Sequence, residues 1–260
     1  MRTIQVLLII YLLLSLSITA ADDPNKAFFE AVNAGDAAAV NKMLNRDPSL
    51  INAKRPSGAS AVTAALFVIV KGEGFIDPPK NEVLQAVLAR KPKLDIHETA
   101  ALGTTEQLAA MLRDDPGALM RRNRFGWTLL HLAAFAGNAG TTQLLLDKGA
   151  TVDVRAESKF RNTPLQTALL TGQYATAKLL LDRGADVLIR QSKGFTPMHE
   201  AAFLGRADLV QLLLDHGAEL NSRSDSGRTP LGEAIRGKHE ALAKVLKEKG
   251  AQVEEIKDVE

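Results

Sequence analysis

The sequence repeats itself every 33 to 35 residues, and such a period restricts the chain to folds in which one small unit stacks on copies of itself. Four segments begin Trp127-Thr128-Leu129-Leu130-His131, Asn162-Thr163-Pro164-Leu165-Gln166, Phe195-Thr196-Pro197-Met198-His199 and Arg228-Thr229-Pro230-Leu231-Gly232. Their threonines lie 35, 33 and 33 residues apart. The pairs Gly149-Ala150, Gly184-Ala185, Gly217-Ala218 and Gly250-Ala251 keep the same intervals, so two separate landmarks share one register.

The chemistry of one unit explains the pattern. A threonine hydroxyl accepts a hydrogen bond from a free amide of a first helical turn, and proline at the next position loses no bond there, so Thr-Pro starts a helix. Small residues follow, Ala133-Ala134 and Ala201-Ala202, which allow close approach of neighbours, and Gly137, Gly172 and Gly205 break the helix. A second helix carries Leu144-Leu145-Leu146, Leu179-Leu180-Leu181 or Leu212-Leu213-Leu214 and stops at the glycine of the Gly-Ala pair. Two short helices and a turn make one unit.

This arrangement resembles the ankyrin repeat. Thr196-Pro197-Met198-His199-Glu200-Ala201-Ala202-Phe203-Leu204-Gly205 departs from the family string only by Met for Leu. The resemblance implies an all-α fold, an ankyrin-repeat solenoid of about seven helix-turn-helix units with short hairpin fingers. It implies a structural role for Thr128, His131, Thr163, Thr196, His199 and Thr229, whose family counterparts tie each unit to itself and to the preceding one. Departures are Leu129 in place of proline, Gln166 and Gly232 in place of histidine, and Lys238 where the turn glycine would stand.

The resemblance also implies a concave groove, lined by finger tips and first-helix ends, that meets a protein partner. The matched positions hold Trp127, Asn162, Phe195 and Arg228 before the capping threonine, and Phe135, Leu170, Phe203 and Arg236 at the end of the first helix; Phe125 and Phe160 lie in the fingers. Phe125, Trp127, Phe135, Phe160, Phe195, Phe203, Arg228 and Arg236 are therefore the candidate partner-binding residues, since exposed aromatics bury much area at little entropic cost. The other reading, in which some of these rings pack back between adjacent fingers, stays open at this point.

The N-terminal half is more divergent. Phe28-Phe29-Glu30-Ala31-Val32-Asn33-Ala34-Gly35 matches Ile96-His97-Glu98-Thr99-Ala100-Ala101-Leu102-Gly103 at an offset of 68, two periods of 34. One further unit lies between, starting near Ser60 and interrupted by an inserted loop from about Gly72 to Lys80. The expected boundaries are an ankyrin-repeat domain at 24–253, with units near 24–56, 57–94, 95–123, 124–157, 158–191, 192–224 and 225–253. At 254–260 follows an acidic tail. Lys247 stands where earlier units have Leu146, Leu181 and Leu214, and Lys249 follows it, as a terminal capping repeat requires.

Residues 1–21 read as a cleavable signal peptide: Arg2, an apolar run of about 15 residues, then Thr19-Ala20-Ala21. The run is short of the ~20 residues that cross a bilayer. An exported chain, periplasmic or secreted, follows as the expectation, and a membrane-tethered scaffold with an uncleaved leader is the alternative. No cysteine is present, which removes disulfides and thiolate chemistry. Thirty-two Lys and Arg face 30 Asp and Glu, a balance without an overall field for nucleic acid or anionic lipid, and the Arg121, Arg122, Arg124 cluster reads as a solvated turn.

No catalytic frame is found. His199-Glu200 opens like a zinc-protease helix but meets Phe203 where the second histidine belongs, and His97-Glu98 fails likewise at Ala101. Gly72-Glu73-Gly74 lacks the third glycine of a dinucleotide loop, and no serine sits in a G-x-S-x-G elbow. The expectation is a monomeric, non-catalytic binding protein without metal or cofactor, whose partner is another protein. A small-molecule binder or enzyme built on the 72–80 insertion is the less favoured class.

Overall fold

The computed structural model describes residues 25–67, 69–70, 74–75 and 81–252. The leader at 1–21, the tail at 254–260 and most of the 72–80 insertion lie outside them. Among the described residues fourteen α-helices form seven pairs. They fall into two compact units, Met1–Asp95 and Ile96–Glu260, where the sequence reading drew a single array.

In the first unit, α1 (Lys26–Ala34) and α2 (Ala37–Arg46) form one pair, and α3 (Ala61–Leu66) and α4 (Glu82–Leu88) the other. Between α3 and α4 two short strands, β1 (Ile69–Val70) and β2 (Gly74–Phe75), pair antiparallel. The interruption is bridged by Asn81, fully buried, whose side-chain oxygen caps α4 at the Leu84 amide while its Nδ2 donates to the Ala65 carbonyl at 2.7 Å. One side chain thus restores the helix pair that the insertion separates in sequence. Arg55, also buried, lies 4.7 Å over the Phe29 ring and donates to Asn33 Oδ1 at 2.6 Å, fixing the turn after α2 to α1.

The second unit holds five pairs: α5 (Ile96–Leu102) with α6 (Thr105–Asp114), α7 (Leu129–Ala136) with α8 (Ala139–Asp147), α9 (Pro164–Leu170) with α10 (Tyr174–Asp182), α11 (Pro197–Phe203) with α12 (Ala207–Asp215), and α13 (Pro230–Arg236) with α14 (Glu240–Glu248). First helices α5, α7, α9, α11 and α13 pack in one row, and second helices α6, α8, α10 and α12 in another. The core between the rows is one cluster containing Leu145, Leu180 and Leu213, each fully buried. No helix among the described residues is long and apolar enough to cross a membrane.

The threonine positions act as the chemistry of capping requires. Thr104, Thr128, Thr163 and Thr196 form reciprocal capping boxes with Gln107, His131, Gln166 and His199, while Thr229 caps alone because Gly232 has no side chain to return the bond. The histidines also correct one expectation. His131 Nε2 meets the Asn162 carbonyl at 3.1 Å and His199 Nε2 meets the Arg228 carbonyl at 2.9 Å, so each histidine ties its unit to the following one, not the preceding one. Lys238, standing at the turn-glycine position, keeps the turn's geometry with a positive φ of 63°. In the last unit Lys247 is exposed, and so is Val245, while Leu246 remains fully buried.

Candidate protein-binding surface

Each finger of the second unit is a short hairpin closed by a backbone bond: Asn123 N–H to the Trp127 carbonyl at 2.8 Å, Ala156 to Asn162 at 2.9 Å, Gln191 to Phe195 at 2.8 Å and Ser224 to Arg228 at 2.9 Å. The fingers are also joined side by side. Glu157 N–H donates to the Gly126 carbonyl, Ser192 to Phe160 and Asp225 to Lys193, each at 3.0 Å. Gly126 has to be glycine, because its φ is 74° and a side-chain carbon there would collide with the Glu157 backbone.

Arginines at one repeat position reinforce this row. Arg122 donates to the Arg155 carbonyl at 2.8 Å, Arg155 to the Arg190 carbonyl at 2.9 Å, and Arg190 to Asp225 Oδ1 at 2.9 Å. Arg122 also bonds the Gly126 carbonyl and pairs with Glu157 at 3.0 Å. The turn read as merely solvated is therefore the first link of a relay along four fingers. Its signal in the sequence was the spacing of Arg122, Arg155 and Arg190 by 33 and 35 residues.

The candidate aromatics separate into two groups. Trp127 and Phe135 are buried, with 6% and 0% of their surface exposed, and their rings lie 5.5 Å apart; Trp127 also stacks on His131. Neither side chain is available to a partner, and the expectation for these two is corrected: they are core residues that close α7 against its finger. The carbonyl of Phe135 is further held by the Thr171 hydroxyl of the next unit at 2.8 Å.

Phe125, Phe160, Phe195 and Phe203 are half-buried, each with a cation over one face: Arg124 at 4.6 Å, Lys159 at 5.1 Å, Arg228 at 5.9 Å and Arg236 at 5.5 Å. Phe195 in addition meets the His199 ring edge-on at 5.3 Å. The arginines of the last two pairs converge on Glu233, which is 2% exposed; Arg236 bonds it directly and Arg228 lies 3.8 Å away. Arg228 and Arg236 are thus held in place by a buried carboxylate and are not free rim charges.

One unit earlier, at the position matching Glu233, Glu200 has its Oε2 buried without a hydrogen-bond partner, and burial pushes its carboxyl up to about 8. At neutral pH this group is mostly protonated. Sequence reasoning missed both glutamates, although their common spacing of 33 places them on one face of adjacent first helices. Among the described residues no group of three or more His, Asp or Glu side chains is placed to hold a metal ion.

A row of joined fingers carrying half-buried aromatics and a row of packed first helices together define a repeat scaffold. Residues 96–191 and 187–257 match the family described as ankyrin repeats (3 copies), and the chain belongs to the ankyrin-repeat family. Members of this family are generally protein–protein interaction modules and typically non-catalytic. The chain is also similar to the transient receptor potential cation channel subfamily A member 1 homolog of Caenorhabditis elegans, at 36% identity over 69 residues. That similarity covers 26% of this chain and only 6% of the channel homolog.

Proposed function

We propose that this protein is a non-catalytic binding module that works outside the cytoplasm and grips another protein in the groove between the fingers and the first helices of its second unit. The observation that carries this reading is the Phe195, Phe203, Arg228, Arg236 and Glu233 cluster. Two half-exposed rings lie under guanidinium groups that a buried carboxylate holds in place, so little side-chain freedom remains to be lost on binding. Rigid aromatic and arginine anchors are the residue types that dominate binding energy at protein interfaces.

The test is alanine substitution at Phe195 and Phe203, with partner retrieved by pull-down and affinity measured on purified components. Each variant should lose ~2 kcal/mol or more, roughly thirtyfold in affinity, while thermal unfolding shifts much less than for a core aromatic. Normal binding by both variants would remove the groove from consideration.

The extracytoplasmic part of the proposal rests on Arg2, the apolar run and Thr19-Ala20-Ala21 in the sequence. Mass analysis of the chain expressed in a secreting host should give an N-terminus at Ala21 or Asp22. Recovery of the full-length chain in the membrane fraction would support the tethered alternative instead.

A further inference from the structure

The chain is close to neutral, yet its charge is unevenly placed. The four finger segments 121–127, 154–162, 187–195 and 220–228 contain ten Lys and Arg against two Asp and Glu, which leaves 22 against 28 in the rest of the chain. Both finger acids are already engaged, Glu157 with Arg122 and Asp225 with Arg190. Arg124, Lys159, Arg161, Lys193 and Arg223 are exposed. Because the fingers are bonded one to the next through Gly126, Phe160 and Lys193, these cations form one continuous basic edge on a molecule that is acidic elsewhere.

We infer that this edge is the recognition element for an acidic, extended polypeptide segment of the partner, a segment that runs across successive fingers. This rests on the groove reading above and adds the partner's chemistry to it. Charge complementarity selects an anionic occupant, since only an anion gains from the exposed cations Arg124, Lys159, Arg161, Lys193 and Arg223 set along successive fingers. The aromatics separate a polypeptide from single-stranded nucleic acid. Bases need open ring faces to stack on, whereas Phe125, Phe160 and Phe195 are half-buried and already carry Arg124, Lys159 and Arg228 over a face. A polypeptide gains from carboxylates set against the guanidinium and ammonium groups and from aliphatic side chains against the ring edges that remain.

The experiment compares the full chain with a finger variant, Arg124→Gln, Lys159→Gln, Lys193→Gln and Arg223→Gln. A control variant, Arg113→Gln, Lys148→Gln, Lys247→Gln and Lys249→Gln, removes the same charge from exposed positions away from the fingers. The probes are a labelled oligo-glutamate peptide, a single-stranded DNA oligonucleotide and phosphatidylserine vesicles. The expected result is salt-sensitive binding of the peptide that falls at least ~10-fold in the finger variant and less than about twofold in the control. DNA and vesicles should bind more weakly than the peptide. Equal loss in both variants, or DNA or vesicles bound as tightly as the peptide, overturns the inference. The partner recovered by pull-down separates this from the groove reading: if Phe203→Ala loses it while the finger variant holds it normally, the groove stands and the acidic-segment inference falls.

Discussion

Alanine at Phe135 should cost the protein about 3–5 kcal/mol of folding stability, the range for truncating a fully buried phenylalanine. Phe135 has no exposed surface and packs against Trp127, so its removal leaves a cavity between α7 and the finger ahead of it. Neighbouring backbone can relax little, because the Phe135 carbonyl is held by Thr171 and Gly126 is locked against Glu157. In a repeat stack such a loss is felt mainly by adjacent units. Hydrogen exchange should therefore quicken in α5, α7 and α9 before α13. Chemical denaturation of Phe135→Ala, set beside Phe203→Ala at the matching repeat position, gives the comparison. A Phe135 variant that keeps its midpoint while losing partner affinity would return this ring to the binding surface.

Acidification from pH 7 to pH 4 should remove about 3 kcal/mol through His131 alone. Unfolded, the imidazole titrates near 6.5; folded, desolvation by burial lowers it to about 4. The geometry explains why the neutral ring is required. Thr128 N–H donates to Nδ1 at 3.2 Å, which assigns the ring proton to Nε2, where it reaches the Asn162 carbonyl. A proton on Nδ1 would face that amide donor inside the core. Between pH 6.5 and pH 4 the unfolded chain therefore binds more protons than the folded one. The stabilisation is complete above pH 6.5 and is lost as the pH falls towards 4. Burial lowers His199 in the same direction.

The neighbouring unit supplies the control. Gln166 makes the same reciprocal bond, accepting from Thr163 N–H at 2.9 Å through Oε1, and its Nε2 donates forward to the Ile189 carbonyl. His131→Gln should keep the capping box and flatten the stability–pH curve relative to wild type. Carboxylates also titrate in this range, and the difference between the two curves removes their contribution. Parallel curves would show that His131 does not carry the linkage.

The fold was legible because helix starts and stops are local chemistry. Thr163-Pro164 and Gly184-Ala185 specify a beginning and an end without reference to anything outside the unit, so their recurrence gave the register. The site was only partly legible, because exposure depends on what the neighbouring residues bring. Trp127 and Phe195 share one repeat position, and Phe135 and Phe203 another, yet the first of each pair is buried and the second is not. Trp127 and Phe135 pack on each other, whereas Phe195 and Phe203 each carry an arginine over a face. Repeat phase assigns a position and leaves its neighbours unspecified. The arginine relay was hidden for a similar reason: a charge cluster in one turn looks solvated until the carbonyls of the next finger are placed beside it. The direction of the histidine tie is not encoded in the motif either, which is the same whichever neighbour the ring reaches.

Binding on the face made by the fingers and the first helices of the second unit would leave a footprint in backbone exchange. The measurement is hydrogen exchange of the free chain and of its complex with the recovered partner. Slowed exchange on binding is expected in the fingers at 121–127, 154–162, 187–195 and 220–228 and at the C-terminal ends of α11 and α13, with α8, α10 and α12 unchanged. Slowed exchange confined to those second helices, with the fingers unaffected, would place the partner on the opposite row of helices instead.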